Sequence, residues 1–407
     1  MVVAIGGIGV LKGWGVAGGM LRTEPYDFGA HWTFSAIPMY LLMGAVAYHT
    51  GISAKLFDAA KVWVGRLPGG LAVSANFACA GFAAVSGSSI ATAAAMGRLT
   101  IPEMMRAQYH PGLATGVVAS AGTLGSMIPP SIAFVLYGIF AEVSISKLFI
   151  AGILPGLLTA AVYAIMIVMR CKLDPSLGPP ATERYGLGVK LRALGEVWPV
   201  VVLILSIIGG LYGGLVTPTE AGAFGAFMAL VVAAMQGVLT WENFKASVFE
   251  AVAGTARIFW IATGAVLITR FLAMTGAAEF MKLTIGSWGA DPLLLVLASS
   301  IIYFILGCFL DPLGLMLLTL PLLLPMFEAL KLDLIWFGVL VVKYIEIGLL
   351  TPPVGLNVYM VKSVVGDEIS LETIFKGVGW FLFCELIVLT LLVVFPEIAT
   401  YLPSQMD

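Results

Sequence analysis

Three serines and one aspartate lie within apolar stretches, where their oxygen atoms could bind a cation. Ser86, Ser88 and Ser89 occur in SGSSIATAAA, and Asp311 begins the sequence DPLG in a second apolar region. Hard cations bind several oxygen ligands, and hydroxyl or carbonyl oxygens supply such ligands without adding a full charge. A carboxylate within a membrane segment is costly to bury and by default indicates a functional site. These residues are therefore the first candidates for chemistry.

Two stretches rich in glycine and proline interrupt apolar segments that are long enough to cross a bilayer. The first is GTLGSMIPPS at 122–131, within the segment 113–139, and the second is EIGLLTPPVG at 346–355, within 337–362. Glycine weakens a helix, and proline removes a backbone donor and clashes with the preceding turn. Backbone groups freed at membrane depth must find partners in protein, water or an ion. We therefore predict a broken helix at each stretch.

Each break combines with one polar stretch to form a candidate ion site. The first predicted site consists of Ser86, Ser88, Ser89, Gly122, Gly125 and Met127, and the second consists of Asp311, Gly314, Gly348 and Thr351. The predicted substrate contacts are Ser88, Thr92, Asp311, Pro130, Pro353 and Asn357. A purely structural interpretation also fits these residues: the small residues permit close packing, the prolines bend the helices, and Asp311 caps a helix that begins with Pro312.

The composition indicates a protein that lies mostly within a lipid bilayer. Of 407 residues, 60% are hydrophobic and 11% are charged, whereas soluble proteins carry about 25% charged residues. Apolar runs recur near the length of about 20 residues that spans a bilayer as a helix. The net charge of −2 suggests no nucleic-acid partner. The four cysteines lack metal-binding spacing, and the chain has no Walker or HExxH motif, so we expect no enzyme and no cofactor.

The element order predicts two halves, 1–169 and 197–403, separated by a polar linker at 170–196. Five basic residues in this linker indicate the cytoplasmic side of the membrane. In each half we predict scaffold helices, an interfacial helix (52–67 or 278–288), a re-entrant hairpin (83–102 or 308–327) and a broken helix. The small residues of the first hairpin suit close backbone approach inside a helical bundle.

A shift of 223 residues, the separation of Pro102 and Pro325, superimposes the two halves. The same shift aligns further pairs: Gly125 with Gly348, Ser88 with Asp311, and 129–130 with 352–353. The turn after the first hairpin is basic and the turn after the second is more acidic, which predicts opposite orientations in the membrane. Inverted repeats with broken helices indicate the binding site of a secondary transporter. We therefore predict an all-α polytopic bundle with two inverted repeats.

Other charged residues have simpler interpretations. Lys343 and Glu346 lie three residues apart, which predicts a structural ion pair, with Lys343 facing a substrate as the alternative. Arg257 and Arg270 flank a predicted span, and we expect both to extend to the membrane interface rather than to bind an anion. Glu220 is predicted in the first turn of a helix that Thr217 or Thr219 caps.

Several motifs resemble the large membrane subunit of the tripartite ATP-independent periplasmic (TRAP) transporters. They follow one another in the family's order from about residue 34 to residue 403. The matching stretches are VSGSSIATAAAMG at 85–97, IPEM at 101–104, GTLGSMIPPS at 122–131, TPTEAGAFGAF at 217–227, FLDPLG at 309–314 and LLTPPVGLNVYM at 349–360. Their number and order make the resemblance specific.

The resemblance implies a multi-pass subunit of the bacterial inner membrane that imports an organic acid anion with sodium. A dicarboxylate, sialic acid or similar substrate would arrive on a soluble periplasmic binding protein. A small four-helix membrane subunit would brace the large one, while the hairpins and broken helices move against a scaffold as an elevator. Sodium would be the coupling ion in both sites, and no other cofactor is implied.

Three alternatives remain open at the level of the sequence. The chain could be a stand-alone transporter of a related fold that couples anion movement to sodium or protons. A membrane-embedded enzyme could use Asp311 with Ser88 or Thr92, although catalysis seldom needs two similar halves. A passive channel is a third possibility, but hairpins entering from both faces favour alternating access over an open pore.

Overall fold

The computed structural model is an all-helical protein. It describes residues 1–52, 54–179, 185–277, 279–280, 283 and 291–406, and no strand occurs among them. Within these ranges, five helices are long and apolar enough to cross a membrane, and two bent helix pairs raise the number to as many as seven. The predicted all-α membrane fold is confirmed.

Helices of uneven length make up both halves of the chain. The first half contains α1 (Val2–Lys12), α2 (Trp14–Ala30), α3 (Ala36–His49), α4 (Ala54–Val64), α5 (Gly70–Ser86), α6 (Ser89–Arg106), α7 (Pro111–Gly122), α8 (Leu124–Met127), α9 (Ile132–Phe140) and α10 (Ile145–Leu173). The second half contains α11 (Leu187–Glu196), α12 (Trp198–Ile204), α13 (Gly210–Tyr212), α14 (Pro218–Met235), α15 (Trp241–Thr275), α16 (Pro292–Gly307), α17 (Pro312–Ala329), α18 (Leu334–Leu350), α19 (Leu356–Val365), α20 (Leu371–Val394) and α21 (Glu397–Ser404). Short 3₁₀ turns at Trp32–Ser35 and Gly366–Glu368 and a π-helical turn at Leu205–Gly209 complete the described elements.

Side-chain caps determine where several helices begin. The hydroxyl of Thr217 accepts a hydrogen bond from the amide of Glu220, and the Glu220 carboxylate accepts one from the amide of Thr217 at 2.8 Å. This reciprocal capping box satisfies two amides that a helix start leaves without partners. The predicted cap of α14 is therefore confirmed, with Thr217 as the capping residue.

The two hairpins are longer than the sequence predicted. The first consists of α5 and α6 with its turn at Gly87–Ser88, so it occupies 70–106 rather than 83–102. The second consists of α16 and α17 with its turn at 308–311, so it occupies 292–329 rather than 308–327. The turn of the first hairpin includes Ser88, and Asp311 ends the turn of the second, so both candidate residues lie at hairpin tips. The predicted bounds left out most or all of the first arm of each hairpin, because an apolar arm and an apolar span have the same composition.

The shift of 223 residues also relates the helix boundaries. Helices α6 and α17 begin at Ser89 and Pro312, and α7 and α18 begin at Pro111 and Leu334. The Pro129–Pro130 and Pro352–Pro353 bonds, which are both cis, occupy equivalent places in the two breaks. The internal repeat inferred from sequence is therefore a repeat of structure.

The two broken helices run in opposite directions. The hydroxyl of Tyr137, near the end of α9, donates to the carbonyl of Leu334 at the start of α18 at 2.7 Å. At the other end, α19 leads into α20, and a β-carbon on Gly377 of α20 would overlap the carbonyl of Gly112 near the start of α7. The first broken helix therefore starts where the second one ends, as the predicted inversion requires.

Two predicted segments are only partly described. Helix α4 occupies most of the first predicted interfacial helix, 52–67. Its counterpart at 278–288 lies almost wholly outside the described residues. In the predicted linker 170–196, the end of α10 and all of α11 are helical, and residues 180–184 lie outside the described part.

A buried cluster of charges joins the second broken helix to two other spans. The ammonium of Lys343 lies 2.7 Å from Glu346 of the same helix and 2.9 Å from Glu385 of α20. It also donates to the hydroxyl of Thr159 of α10 at 3.0 Å, and Tyr163 of α10 donates to Glu385. The predicted pair of Lys343 and Glu346 is confirmed. Because Lys343 has no exposed surface, it does not face a substrate.

Replacing Lys343 with methionine should lower the free energy of unfolding by about 3–5 kcal/mol, because Glu346 and Glu385 would stay buried without a cation. Thermal unfolding of the purified protein in detergent measures this loss. The matched control is Lys376→Met, which removes an exposed pair with Glu372 on α20 and should leave the Tm nearly unchanged. Equal Tm values for the two variants would show that the buried cluster contributes no special stability.

Candidate functional site

A cavity of about 520 Å³ lies where the two hairpin tips approach helices α3 and α15. This volume falls within the range of roughly 300–1,000 Å³ that is typical of small-molecule sites. The first tip contributes Ser88 and Ser89, the first helix break contributes Ser126 and Ile132, and the second tip contributes Pro312 and Leu313. Both repeats thus meet at one space, and this space is the candidate site.

Hydrogen bonds connect the first hairpin tip to the first break. The hydroxyl of Ser89 donates to the carbonyl of Thr123 at 3.3 Å and is hydrogen-bonded to the hydroxyl of Ser126. The amide of Ile132, the first residue after the break, donates to the carbonyl of Gly87 in the tip at 3.3 Å. The tip therefore supplies the partners that an interrupted helix needs inside a membrane.

A second group of oxygens lies behind the first tip. The hydroxyls of Ser86 and Thr92 are 2.7 Å apart, and Thr92 also donates to the carbonyl of Ser88 at 2.8 Å. Gly125 lies against the same carbonyl, where a β-carbon would overlap the Ser88 oxygen. The structure thus brings together Ser86, Ser88, Ser89 and Gly125 from the first predicted ion site.

Two residues of the first predicted ion site lie elsewhere in this packing. A β-carbon on Gly122 would lie 2.8 Å from the β-carbon of Ala93, so Gly122 serves the close packing of α7 against α6. The carbonyl oxygen of Met127 lies against Gly152 of α10 rather than against the tip. Neither position could be inferred from sequence, because the direction of a carbonyl beside a break depends on the local backbone.

Sequence reasoning missed several oxygens in the first break itself. Ser126 and Thr123 contact Ser89 as described, and Ser131 donates from its hydroxyl to the carbonyl of Ser126 at 2.5 Å. The Ser131 hydroxyl also accepts from the amide of Phe134 and so caps α9. The signal was present, because Ser126 and Ser131 lie in the motif GTLGSMIPPS, but their hydroxyls were not considered. Thr123 contacts Ser89 through its carbonyl, which is among the carbonyls considered in the first break.

The second predicted site is arranged differently. The Asp311 carboxylate accepts from the amide of Gly314 at 3.2 Å and caps α17, as the structural interpretation predicted. Gly348 lies against Gly307 at the end of the other hairpin arm, where a β-carbon would lie 2.9 Å from the Gly307 α-carbon. The Thr351 hydroxyl donates to the carbonyl of Ile347 at 2.6 Å, within its own helix. Asp311 itself is exposed.

The predicted substrate contacts separate into two groups. Ser88 lies in the cavity wall, and Asp311 immediately precedes Pro312 and Leu313 of that wall. Four others lie outside the wall: Thr92, Pro130 and Asn357 are buried, and Pro353 is exposed.

Asn357 has a structural role. Its side-chain amide donates to the carbonyl of Ala119 at 3.1 Å, so Asn357 joins α19 to α7 across the repeats.

The cavity wall carries both positive and negative groups. The first turns of α6 and α17 both lie in the wall, and helix N-termini carry partial positive charge. Glu250 in this wall pairs with His49 at 2.6 Å. Arg257 of α15 also lines the cavity. Arg270, further along the same helix, pairs with Glu24 at 3.1 Å. That both arginines extend to the membrane interface stays a prediction.

The available ligands favour a hard cation bound by neutral oxygens. Among the described residues, no group of three His, Cys, Asp or Glu side chains could hold a metal ion. The oxygens at the first tip are hydroxyls and carbonyls, which is the ligand set that suits sodium. Oxygens of this kind could bind a hard cation without burying a formal negative charge.

The sequence is similar to those of known proteins over nearly the whole chain. The model of the family "Tripartite ATP-independent periplasmic transporter, DctM component" matches residues 29–398. The chain is 36% identical over 395 residues to the C4-dicarboxylate TRAP transporter large permease protein DctM of Pseudomonas aeruginosa, covering 94% of this chain and 87% of that protein. It is 33% identical over 375 residues to the sialic acid TRAP transporter large permease protein SiaM of Vibrio cholerae, covering 92% and 87%.

One further permease and one solved structure extend the comparison. The isethionate TRAP transporter permease protein DctMQ of Oleidesulfovibrio alaskensis is 33% identical over 365 residues, which is 87% of this chain and 56% of that protein. Among solved structures, the YdaH transporter of Alcanivorax borkumensis has a TM-score of 0.67 at 12% identity, covering 93% of this chain and 89% of that one. The likeness to YdaH shows a shared fold.

The family match spans most of the chain, and the identities to the permeases exceed 30% over more than two thirds of it. The architecture agrees, since apolar helices suit a membrane permease and the two helices broken at 128–131 and 351–355 run in opposite directions. This chain therefore belongs to the DctM family, the large permease subunits of tripartite ATP-independent periplasmic transporters.

Proposed function

We propose that this permease subunit imports an organic acid anion by symport with sodium. The observation that carries the proposal is the single cavity between two inverted hairpin tips, with a cluster of neutral oxygens directly behind the first tip. A substrate in the cavity and an ion among these oxygens would lie on either side of the same tip. Occupation of one site would then stabilise the tip conformation that the other site needs.

The size and charge of the cavity support a small organic acid as the substrate. The relatives are named for C4-dicarboxylate, sialic acid and isethionate, which are all organic anions. The cavity volume of about 520 Å³ accommodates molecules of this size. The two helix N-termini in its wall favour negative charge.

The proposed sodium ligands form two sets, one for each hairpin tip. For the first site we propose Ser86, Ser88, Ser89 and Gly125, and the structure adds Thr92, Thr123 and Ser126 to the available oxygens. Gly122 and Met127, predicted from sequence, are left out because they pack against Ala93 and Gly152. For the second site we propose Asp311, Gly314, Gly348 and Thr351. The first set has the stronger support, because its hydroxyls already converge.

The proposed mechanism is an elevator in the bacterial inner membrane. Helices α3 and α15 pack against each other and form one wall of the cavity, whereas the hairpins and breaks form the opposite wall. Movement of the second group along the first would expose the cavity to each side in turn. A periplasmic binding protein would deliver the substrate, and a small membrane subunit would hold the scaffold in place.

Uptake should depend on an inward sodium gradient. The test is a proteoliposome assay that contains the large and small membrane subunits and the periplasmic protein, with radiolabelled succinate, N-acetylneuraminate and isethionate as substrates. We expect accumulation of at least one acid with external sodium, and little accumulation when potassium replaces sodium. Equal uptake in the two salts would contradict sodium coupling.

The first ion site predicts a specific serine effect. Ser89→Ala should raise the sodium concentration for half-maximal uptake several-fold, because it removes a hydroxyl that lies between Thr123 and Ser126. The control is Ser363→Ala, which removes an exposed hydroxyl that bonds only within α19. An unchanged sodium dependence in the Ser89 variant would remove Ser89 from the ion site.

The role of Asp311 can be separated from helix capping. Serine also caps helices, so Asp311→Ser keeps the cap of α17 but removes the charge. We expect this variant to assemble normally and to lose most of its transport. Asp291 caps α16 in the same way, accepting from Leu293 at 2.9 Å, and Asp291→Ser is the matched control. Normal transport by the Asp311 variant would limit Asp311 to capping.

A further inference from the structure

Arg257 is the charged residue that the proposed ion sites leave unexplained. It lies near the middle of the 35-residue helix α15, in the wall of the cavity. Among the described residues, the only other charged one in that wall is Glu250, which pairs with His49 at 2.6 Å. Arg257 forms no hydrogen bond or ion pair with any described residue. Its guanidinium is therefore free to meet a ligand.

The position of Arg257 along α15 corresponds to the depth of the hairpin tips. Ile261 follows Arg257 by four residues and so lies on the same face of the helix. A β-carbon on Gly314, in the first turn of α17, would lie 3.7 Å from the side chain of Ile261. Glu250 lies seven residues before Arg257, which is about 10 Å along the helix. Arg257 thus lies on α15 at the level of the hairpin tips, with its side chain exposed in the cavity wall.

A charged side chain in the middle of a long apolar helix calls for a partner or for water. Arginine within a membrane segment is costly and almost always faces a bundle interior or a water-filled cavity, where it pairs with another group. The other arginine of α15 obeys this rule, because Arg270 pairs with Glu24 of α2 at 3.1 Å. Arg257 is exposed in the cavity wall and has no partner among the described residues, so a ligand in the cavity can pair with it.

We propose that Arg257 binds the acid group of the transported substrate. The planar guanidinium presents paired N–H donors that match the two oxygens of a carboxylate, or two oxygens of a sulfonate. The proposal rests on the proposed function, and it adds the residue that selects for negative charge. It also places the acid group against α15, which faces the hairpins, so the substrate would bridge the two walls of the cavity.

This placement explains why the ion sites and the substrate site can use different chemistry. Neutral oxygens at the first tip suit a cation, whereas Arg257 on the opposite wall suits an anion. Ser88 lies in the cavity wall and also touches the oxygen cluster through its carbonyl. The cation and the acid group would therefore sit on opposite sides of Ser88, which limits direct competition between them.

The test measures uptake kinetics of the complete reconstituted complex with radiolabelled succinate, N-acetylneuraminate and isethionate. For each acid that the wild type takes up, Arg257→Gln should raise the KM at least tenfold and change the maximal rate much less, because a charge-assisted contact is lost. Arg257→Lys keeps the charge but not the paired donors, and its KM should rise several-fold. The matched control, Arg270→Gln, should keep the wild-type KM.

Wild-type KM values in Arg257→Gln, or equal increases in Arg257→Gln and Arg270→Gln, would overturn the proposal. If Arg257→Gln does not assemble on size-exclusion chromatography, the lysine variant decides, and a wild-type KM in that variant would overturn the proposal. Wild-type uptake that does not need sodium would contradict only the coupling, because the KM comparison still applies. A wild-type complex that takes up none of the three acids would overturn both proposals.

Discussion

The structure depends on how it satisfies backbone groups where two membrane helices are interrupted. Carbonyls and amides at these breaks have no lipid partners, so protein groups must be brought to them. At the first break the tip of the neighbouring hairpin does this, through Ser89 to Thr123 and through Gly87 to Ile132. The hairpin is thus a structural requirement of the break, and the resulting concentration of oxygens is what makes an ion site possible there.

The two repeats share a backbone plan but differ in the chemistry of their tips. Where the first repeat has Ser89, the second has Pro312, which offers no hydroxyl to the break opposite. The second tip instead approaches its broken helix by close packing of Gly307 on Gly348, and its polar group is the exposed carboxylate of Asp311. Duplication therefore supplied one geometry, and later divergence made one tip rich in neutral oxygens and the other acidic.

Two cationic side chains on apolar helices differ in whether the protein pairs them. Lys343 is enclosed by Glu346, Glu385 and Thr159, and this cluster joins the second broken helix to α10 and α20. Arg257 lies in the cavity wall and has no partner in the part of the chain that the structure describes. The first arrangement stabilises the bundle because every charge is paired, and the second leaves a positive group available for an anionic ligand.

The sequence by itself determined the membrane class, the two breaks, the repeat, its inversion and the hairpin tips, because composition, Gly–Pro spacing and charge bias are local properties. The tertiary structure decided where the hairpin arms begin, that Met127 faces α10, that Glu385 completes the Lys343 cluster and that Arg257 faces a cavity. An apolar arm and an apolar span have the same residue pattern, and a contact between residues far apart in the chain has no local signal. Only the packing of the helices sets which side chains meet.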